Sequence, residues 1–519
     1  MREIKLIIIF IVLNISSFEA HAQDRVSKPN ILFIISDDQG YPHASAYGSK
    51  LVRTPAFDEI AKNGILFTNY FVSAPQCSPS RASILTGRHI WQNGPAGTHW
   101  STFTSGLTPY TDILKKNGYD VGYTGKGWAP GNWVDGGRTT DPVGVKYISK
   151  KEESKYINSR PASGISKENY VASFNLFLQE RNENQPFCFW VGGWEPHRPY
   201  EEGSGLKNDR IIDEVEVPDY LPDSEIVKSD LLDYALEIEW FDKQVGKILR
   251  ALEEKELLDN TIVVFTSDNG MPFPRAKAYS FDDGNHVPMA IMWNERIINP
   301  GRVVEDLVSA VDVFPTFLEA AGVKNNIPET EGKSLIGIFE NGRSGLTDKA
   351  REFIYWGRER HGSARWNNLG YPQRAIRSDN FLYIWNLKPE RYPVGAPKKI
   401  KGDSLVWAYG DIDPSPTKTY MIKNQSEYSQ IAFEKHPEEM LYDIKNDPYC
   451  MVNLAEEPGF EDVKKEMSGI LKQKLKETKD PRVGEFPSIW ESYRRYGPIH
   501  KFPVPGWAKE ILENHVIKD

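Results

Sequence analysis

The chain has 519 residues, 39% of them hydrophobic, and a formal net charge of −9. That length supplies a large core and leaves material for a second domain. The negative balance argues against a nucleic-acid partner, so any polyanion must be met by a local basic site.

Residues 1–22 read as an export signal. Arg2 and Lys5 form the charged start, residues 6–13 the apolar run, and Ala20-His21-Ala22 a small-x-small cleavage site. The apolar run is too short to span a membrane and no later segment reaches spanning length. No cysteine lies near the cleavage point to carry a lipid. The mature protein is expected to be exported, periplasmic or secreted, without a membrane span. Three cysteines do not make a disulfide framework; Cys188, in the apolar run PFCFWVGG, is expected in the core.

From residue 30, apolar strand runs alternate with helical patterns, which predicts an α/β sheet. The run ILFIIS ends in Asp37-Asp38-Gln39-Gly40. A helix is predicted over residues 55–63, followed by ILFTNYF. Further helices are predicted over 110–116, 169–181, 230–255 and 311–321. The strand YDVGYTG ends at Lys126, FCFWVGG runs out to Glu195-Pro196-His197-Arg198, and TIVVFTS ends at Asp268-Asn269-Gly270. VPMAIMW is another buried strand. After about residue 346 the runs become hairpin-like (REFIYWGRE, YPQRAIRSDNFLYIWN, EEMLYDI), with a helix over 461–476 and a Pro- and aromatic-rich tail. The expected organisation is a signal over residues 1–22, an α/β catalytic domain over 23–345 and a smaller antiparallel α+β domain over 346–519.

Four strands thus deliver acids or bases just beyond their C-terminal ends: Asp37 and Asp38, Lys126, His197, and Asp268 with Asn269. Open α/β sheets bind ligands at that edge. Adjacent aspartates inside a strand would diverge, whereas past its end both can converge; taken alone the pair also reads as a solvated turn or helix cap, but four arrivals at one edge argue against coincidence. Three aspartates and an asparagine amide are hard oxygen donors, a set that suits calcium better than zinc. Arg358, Arg360 and His361 in WGRERHG either reach the rim of this site or form a surface charge cluster.

In APQCSPSRASILTG, Cys77 stands at the mouth of a predicted helix, with Ser78 as N-cap, Pro79 at the first helical position and helix over residues 80–85. The free N–H groups and positive end of the dipole would face whatever Cys77 holds. By itself the cysteine reads as a buried structural residue, a helix-activated thiolate or a catalytic precursor.

The spacing Cys77-x-Pro79-x-Arg81, continued by Leu85-Thr86-Gly87, closely resembles the type I sulfatase signature, and FTSDNGMPFP, QNG at residues 92–94, EPHR and LYDIKNDPYCMVNLA extend the likeness. Among sulfatases the heparan N-sulfatase (N-sulfoglucosamine sulfohydrolase) type is most similar. The resemblance implies an alkaline-phosphatase-like sulfatase fold: a large mixed sheet flanked by helices, with a smaller C-terminal α+β domain. It also implies a cysteine oxidised to formylglycine by a maturing enzyme. One hydroxyl of the hydrated aldehyde attacks sulfur and the other later expels sulfate, which a serine or plain cysteine cannot do. One calcium ion is implied on Asp37, Asp38, Asp268 and Asn269, completed by residue 77. Related zinc phosphatases carry Asp-His-Gly where this chain has Asp268-Asn269-Gly270. By the same resemblance Lys126 and the calcium hold the sulfate oxygens, Lys277 binds near the bridging atom, His197 protonates the leaving group and Arg81 orients the hydrate. The implied substrate is a sulfated polysaccharide or its oligosaccharides, with an N-sulfated glucosamine as the alternative. One departure stands out: sulfatases usually read Lys-x-His where this chain has Lys126-Gly127-Trp128. His99 or His43 is a conceivable replacement base, and Trp128 either walls a sugar site or packs in the core.

Overall fold

The apolar run of β1 (Asn30–Ser36) is buried along its whole length in the middle of a sheet. Ile31, Phe33 and Ile35 point to one face, and Leu32 and Ile34 to the other, as strand alternation requires. Both faces are covered, which is why the run is apolar throughout. The computed structural model describes residues 28–397 and 407–509, so the export signal read over residues 1–22 lies outside the described residues.

After β1 come β2 (Ile65–Phe67), β3 (Tyr70–Phe71), β4 (Asp120–Gly125), β5 (Val145–Lys146), β6 (Phe187–Gly192), β7 (Thr261–Ser267), β8 (Met289–Met292), β9 (Arg302–Val304) and β10 (Val308–Ser309). Eight of them form one sheet in the order β5-β4-β6-β1-β7-β8-β2-β9, while β3 pairs with β10. The sheet is mixed: β5, β4, β6, β1 and β7 run parallel, and β8 opposes β7 and β2. Gly125 pairs with Gly192, Gly192 with Ile35, and Ser36 with Ser267. The C-terminal ends of the four central strands therefore lie level.

Helices Cys77–Thr86, Tyr110–Lys116 and Val313–Ala320 pack on the face of Phe33; Pro55–Lys62, Tyr170–Glu180 and Glu225–Glu253 pack on the face of Leu32. The long helix starts five residues before the predicted position 230. Its first turn is capped by the Ser224 side chain, which accepts the Val227 N–H, and turns the exposed Ile226 outward. The segment predicted as helix over 311–321 opens with a 3₁₀ turn, Ala310–Asp312. Among the described residues no helix is long and apolar enough to cross a membrane.

A second sheet is antiparallel, in the order β11 (Ile354–Arg358), β12 (Gln373–Arg377), β13 (Phe381–Asn386) and β14 (Glu439–Asp443). Ile376, Tyr383 and Leu441 on one face pack under Met467, Leu471 and Leu475 of the helix Glu461–Glu477. On the other face Trp356, Ala375, Leu382 and Ile384 share a cluster with Met271, Phe273 and Tyr279 from the segment that follows β7. That segment carries Lys277 and is clamped between the two sheets. Helices Pro416–Asn424 and Glu427–Phe433, which the sequence reading omitted, complete this side.

Candidate active site

The four level strand ends bring their polar residues together as expected. Asp38 adopts φ 74°, a left-handed conformation that Asp tolerates better than most residues. With that turn, both neighbouring carboxylates face the same buried space. Asp37 and Asp38 are fully buried, so the solvated-turn reading is excluded.

The helix Cys77–Thr86 begins at Cys77 itself, with Gln76 as its extended N-cap. This corrects the expected cap at Ser78. Pro79 becomes the third helical residue, where its missing N–H is still one of those a helix leaves unpaired. Arg81 lies one turn on, fully buried, and donates from Nε to Asp268 Oδ2 at 2.7 Å and from Nη1 to the carbonyls of Lys126 (2.9 Å) and Gly127 (3.1 Å). Its Nη2 is buried without a hydrogen-bond partner and lies 3.9 Å from Asp37 Oδ1. At the far end Gly87 caps the helix with φ 65°, and a Cβ there would meet Thr330 Oγ1 at 2.3 Å and Phe314 Cβ at 2.8 Å. The Leu-Thr-Gly part of the signature thus has a packing reason.

Lys126 Nζ reaches both oxygens of Asp37 at 2.6 and 2.7 Å, and Lys277 Nζ reaches Asp38 Oδ2 at 2.6 Å. Burial pushes Asp37 up, but Lys126, His197 and Arg81 outweigh it and hold the carboxyl below its ordinary range. Burial likewise opposes the Lys277 charge, yet Asp38 and Asp413 raise the ammonium well above its usual value. Burial drives the Cys77 thiol well above the range of a free cysteine.

Asp37, Asp38, Cys77 and Asp268 each place one donor atom within 4.8 Å of the others. Asn269 gives its Nδ2 to Asp38 Oδ1 at 2.7 Å, while its own Oδ1 is buried and unpartnered. Three carboxylates around an orphaned amide oxygen form a donor set that fits a hard divalent cation. His197 Nδ1 contacts the Arg198 carbonyl at 2.6 Å, so that nitrogen carries the hydrogen. Its Nε2 lies 3.8 Å from Asp38 Oδ2, and the ring stands within 4.8 Å of the Cys77 sulfur. About one third of the side chain is open to solvent.

Other expected positions are resolved by their surroundings. Trp128 is buried, donates from Nε1 to the Ser78 carbonyl at 3.0 Å and packs edge-on against Phe103. It is a core residue that pins the start of the cysteine helix, not a sugar wall. His43 faces Tyr234 Oη at 3.1 Å. His99 stacks obliquely on His361, ring centroids 4.3 Å apart. Arg358, Arg360 and His361 are buried rather than a surface cluster. Cys188 lies in the core, and the three cysteines are free. Asp413, which no motif marked, accepts from Lys277 at 3.0 Å; it comes from an otherwise unremarkable stretch of the second sheet's side and had no local signal.

The description "Sulfatase" applies to the family matched by residues 29–323, more than half of the chain. The chain belongs to the sulfatase family. It is a sulfuric ester hydrolase of the type I class, as the cysteine signature indicated. It is similar to an ulvan-active sulfatase of Formosa agariphila, 29% identical over 85% of this chain and 78% of that one. It is also similar to human N-sulphoglucosamine sulphohydrolase, 27% identical over 88% of this chain and 92% of that one. Among solved structures, BT4656 in complex with its substrate D-glucosamine-2-N,6-O-disulfate matches with TM-score 0.63 and 21% identity, covering 88% of this chain and all of that one. That likeness carries the fold: a large mixed sheet with helices and a smaller antiparallel sheet domain. Sulfatases generally use formylglycine and calcium, and the buried donor set agrees with that pattern.

Proposed function

We propose that this sulfatase is exported and removes O-sulfate from a sulfated polysaccharide or its oligosaccharides, using formylglycine made from Cys77 and one calcium ion. The observation that carries the reading is the junction of Cys77 with Asp37, Asp38 and Asp268 inside a ring of Lys126, Lys277, Arg81 and His197. In this reading residues 23–345 form the catalytic domain, and residues 346–519 form the smaller domain that closes on it. A maturing enzyme is the required partner.

Sulfate hydrolysis needs far more help than a helix dipole offers: enzymes remove about 8–23 kcal/mol from such barriers, against about 0.3–1 kcal/mol for the dipole. Concentrated positive charge in a dry pocket supplies the larger share. Lys126 binds the sulfate oxygens and Lys277 binds near the bridging atom, each held in place by an aspartate. Arg81, one helical turn from residue 77, orients and steadies the oxygens there. His197, with Nδ1 tied to a carbonyl, presents Nε2 for proton transfer to the departing oxygen. With a ring nitrogen within 4.8 Å of the residue 77 side chain, it is also placed to serve where the family's usual histidine is replaced by Trp128. Calcium, when held by Asp37, Asp38, Asp268 and Asn269, supplies further positive charge to the sulfate. Formylglycine supplies a nucleophile that can be regenerated.

A second reading, an N-sulfoglucosamine sulfohydrolase, is favoured by the near full-length likeness to the human enzyme of that name. Sulfate release from matched 2-O-, 6-O- and N-sulfated sugars by maturation-competent protein separates the two. Turnover confined to the N-sulfated sugar would replace the first reading by the second.

A further inference from the structure

Beside Lys277 the chain buries more positive charge than it balances. Asp411 serves both Arg358 and Arg365, each at 2.7 Å. Glu359 is taken by Arg374 and Arg482, Glu491 by Arg391 and Arg482, Asp480 by Arg374 and Glu390 by Arg391. Arg495 donates to the carbonyls of His361 (2.7 Å) and Pro498 (3.2 Å). Among the described residues neither Arg360 nor Arg495 has a carboxylate partner. Arg358 Nε and Nη1, Arg360 Nε and Nη2, His361 Nδ1 and His99 Nε2 are buried without hydrogen-bond partners. Arg358, Arg360, His361 and His99 are each no more than 6% exposed.

The position of this cluster follows from the chain. Asp411, which holds Arg358, stands two residues from Asp413, which holds Lys277. Their Cα atoms are therefore at most about 7 Å apart. Burial lowers the pKa of both His99 and His361, and Lys277 is among the charges that lower them further. The imidazoles thus stay neutral beside Lys277. Buried guanidinium nitrogens without partners are costly unless an anion joins them. Their planar fork matches carboxylate and sulfate alike.

We propose that Arg358, Arg360 and His361, with Arg495, form a second anion subsite that takes another acidic group of the sugar being desulfated, a carboxylate or a second sulfate. The subsite rests on the reading of this protein as a glycan sulfatase. It makes the preferred substrate a sulfated sugar with two negative groups, one in the reaction pocket and one held by the arginines.

The test uses the full chain carrying Cys77→Ala, so that binding is read without turnover, together with wild-type turnover of an aryl sulfate as a separate check on the catalytic reading. Calorimetry compares three ligands: a sulfated disaccharide with a hexuronate, its carboxyl-reduced counterpart, and that counterpart with a second sulfate. At least one dianionic ligand is expected to bind about 10-fold or more tightly than the monoanionic one, and which of them does so identifies the acidic group. Adding Arg360→Gln, or Arg358→Gln if the first variant is unstable, is expected to abolish that margin while changing affinity for the monoanionic ligand less than about 3-fold. Equal binding of all three ligands, no binding of any, or a margin that survives both substitutions would overturn the subsite even if aryl sulfate is hydrolysed.

Discussion

Lys277 Nζ and Asp413 Oδ2 lie 3.0 Å apart although 136 residues separate them in the chain. The second sheet's side of the molecule thus helps to hold a lysine of the reaction pocket, because Lys277 is shared between Asp38 and Asp413. Asp413→Asn is expected to lower kcat/KM about 10-fold, and equally for aryl and sugar sulfates, since both present the same sulfate group. Asp413→Glu should restore part of the loss. A loss confined to one substrate class would remove Asp413 from the role of positioning Lys277.

Asp268 accepts from Arg81 and from the Asp38 N–H while contributing to the proposed metal site. Asp268→Ala is expected to abolish calcium binding measured by calorimetry and to abolish sulfate release. A folded variant that binds calcium as tightly as the wild type would refute its assignment as a ligand.

His197 has one nitrogen tied to a carbonyl and the other facing the site. An aryl oxide leaves with little help, whereas a sugar alkoxide needs a proton. His197→Ala should therefore cost about 10²–10⁴ in kcat/KM with a sulfated sugar and far less with an aryl sulfate. Equal losses on both would assign it to sulfate binding instead.

His43 Nδ1 lies 3.1 Å from Tyr234 Oη, which also accepts the Gly40 N–H. Burial lowers the imidazole pKa to about 4. Between about pH 6.5 and 4 the unfolded chain binds this proton and the folded chain does not. The native state therefore loses stability as the pH falls through that window, reaching about 3 kcal/mol for this group at the lower end. Urea midpoints measured across the window should fall with pH, and His43→Gln should reduce the slope, the remainder coming from other buried imidazoles such as His99, His286 and His361. An unchanged slope in the variant would exclude His43 as its source.

Much of this was legible where chemistry and local pattern coincide. The helix Tyr110–Lys116 and the strand Thr261–Ser267 fall where periodicity and apolar runs place them. The convergence of Asp37, Lys126, His197 and Asp268 followed from strand ends alone. What escaped was set by tertiary contacts. Ser78 has the chemistry of a cap, but packing begins the helix at Cys77. The first turn of the long helix buries Val227 but turns Ile226 outward, so its two adjacent apolar residues do not both extend the helical stripe that continues at Leu231. Arg360 reads equally as a rim residue or a surface charge, and Asp413 as an ordinary surface charge, until the fold buries one and aims the other at Lys277.

The most direct measurement is sulfate release by the wild-type protein and by Cys77→Ala, produced side by side with a formylglycine-generating enzyme and assayed on the same sulfated oligosaccharide. The wild type should release sulfate, and the variant should fall to background with an unchanged unfolding transition. Release by a folded Cys77→Ala within a few-fold of the wild-type rate would contradict the role of residue 77 as the nucleophile.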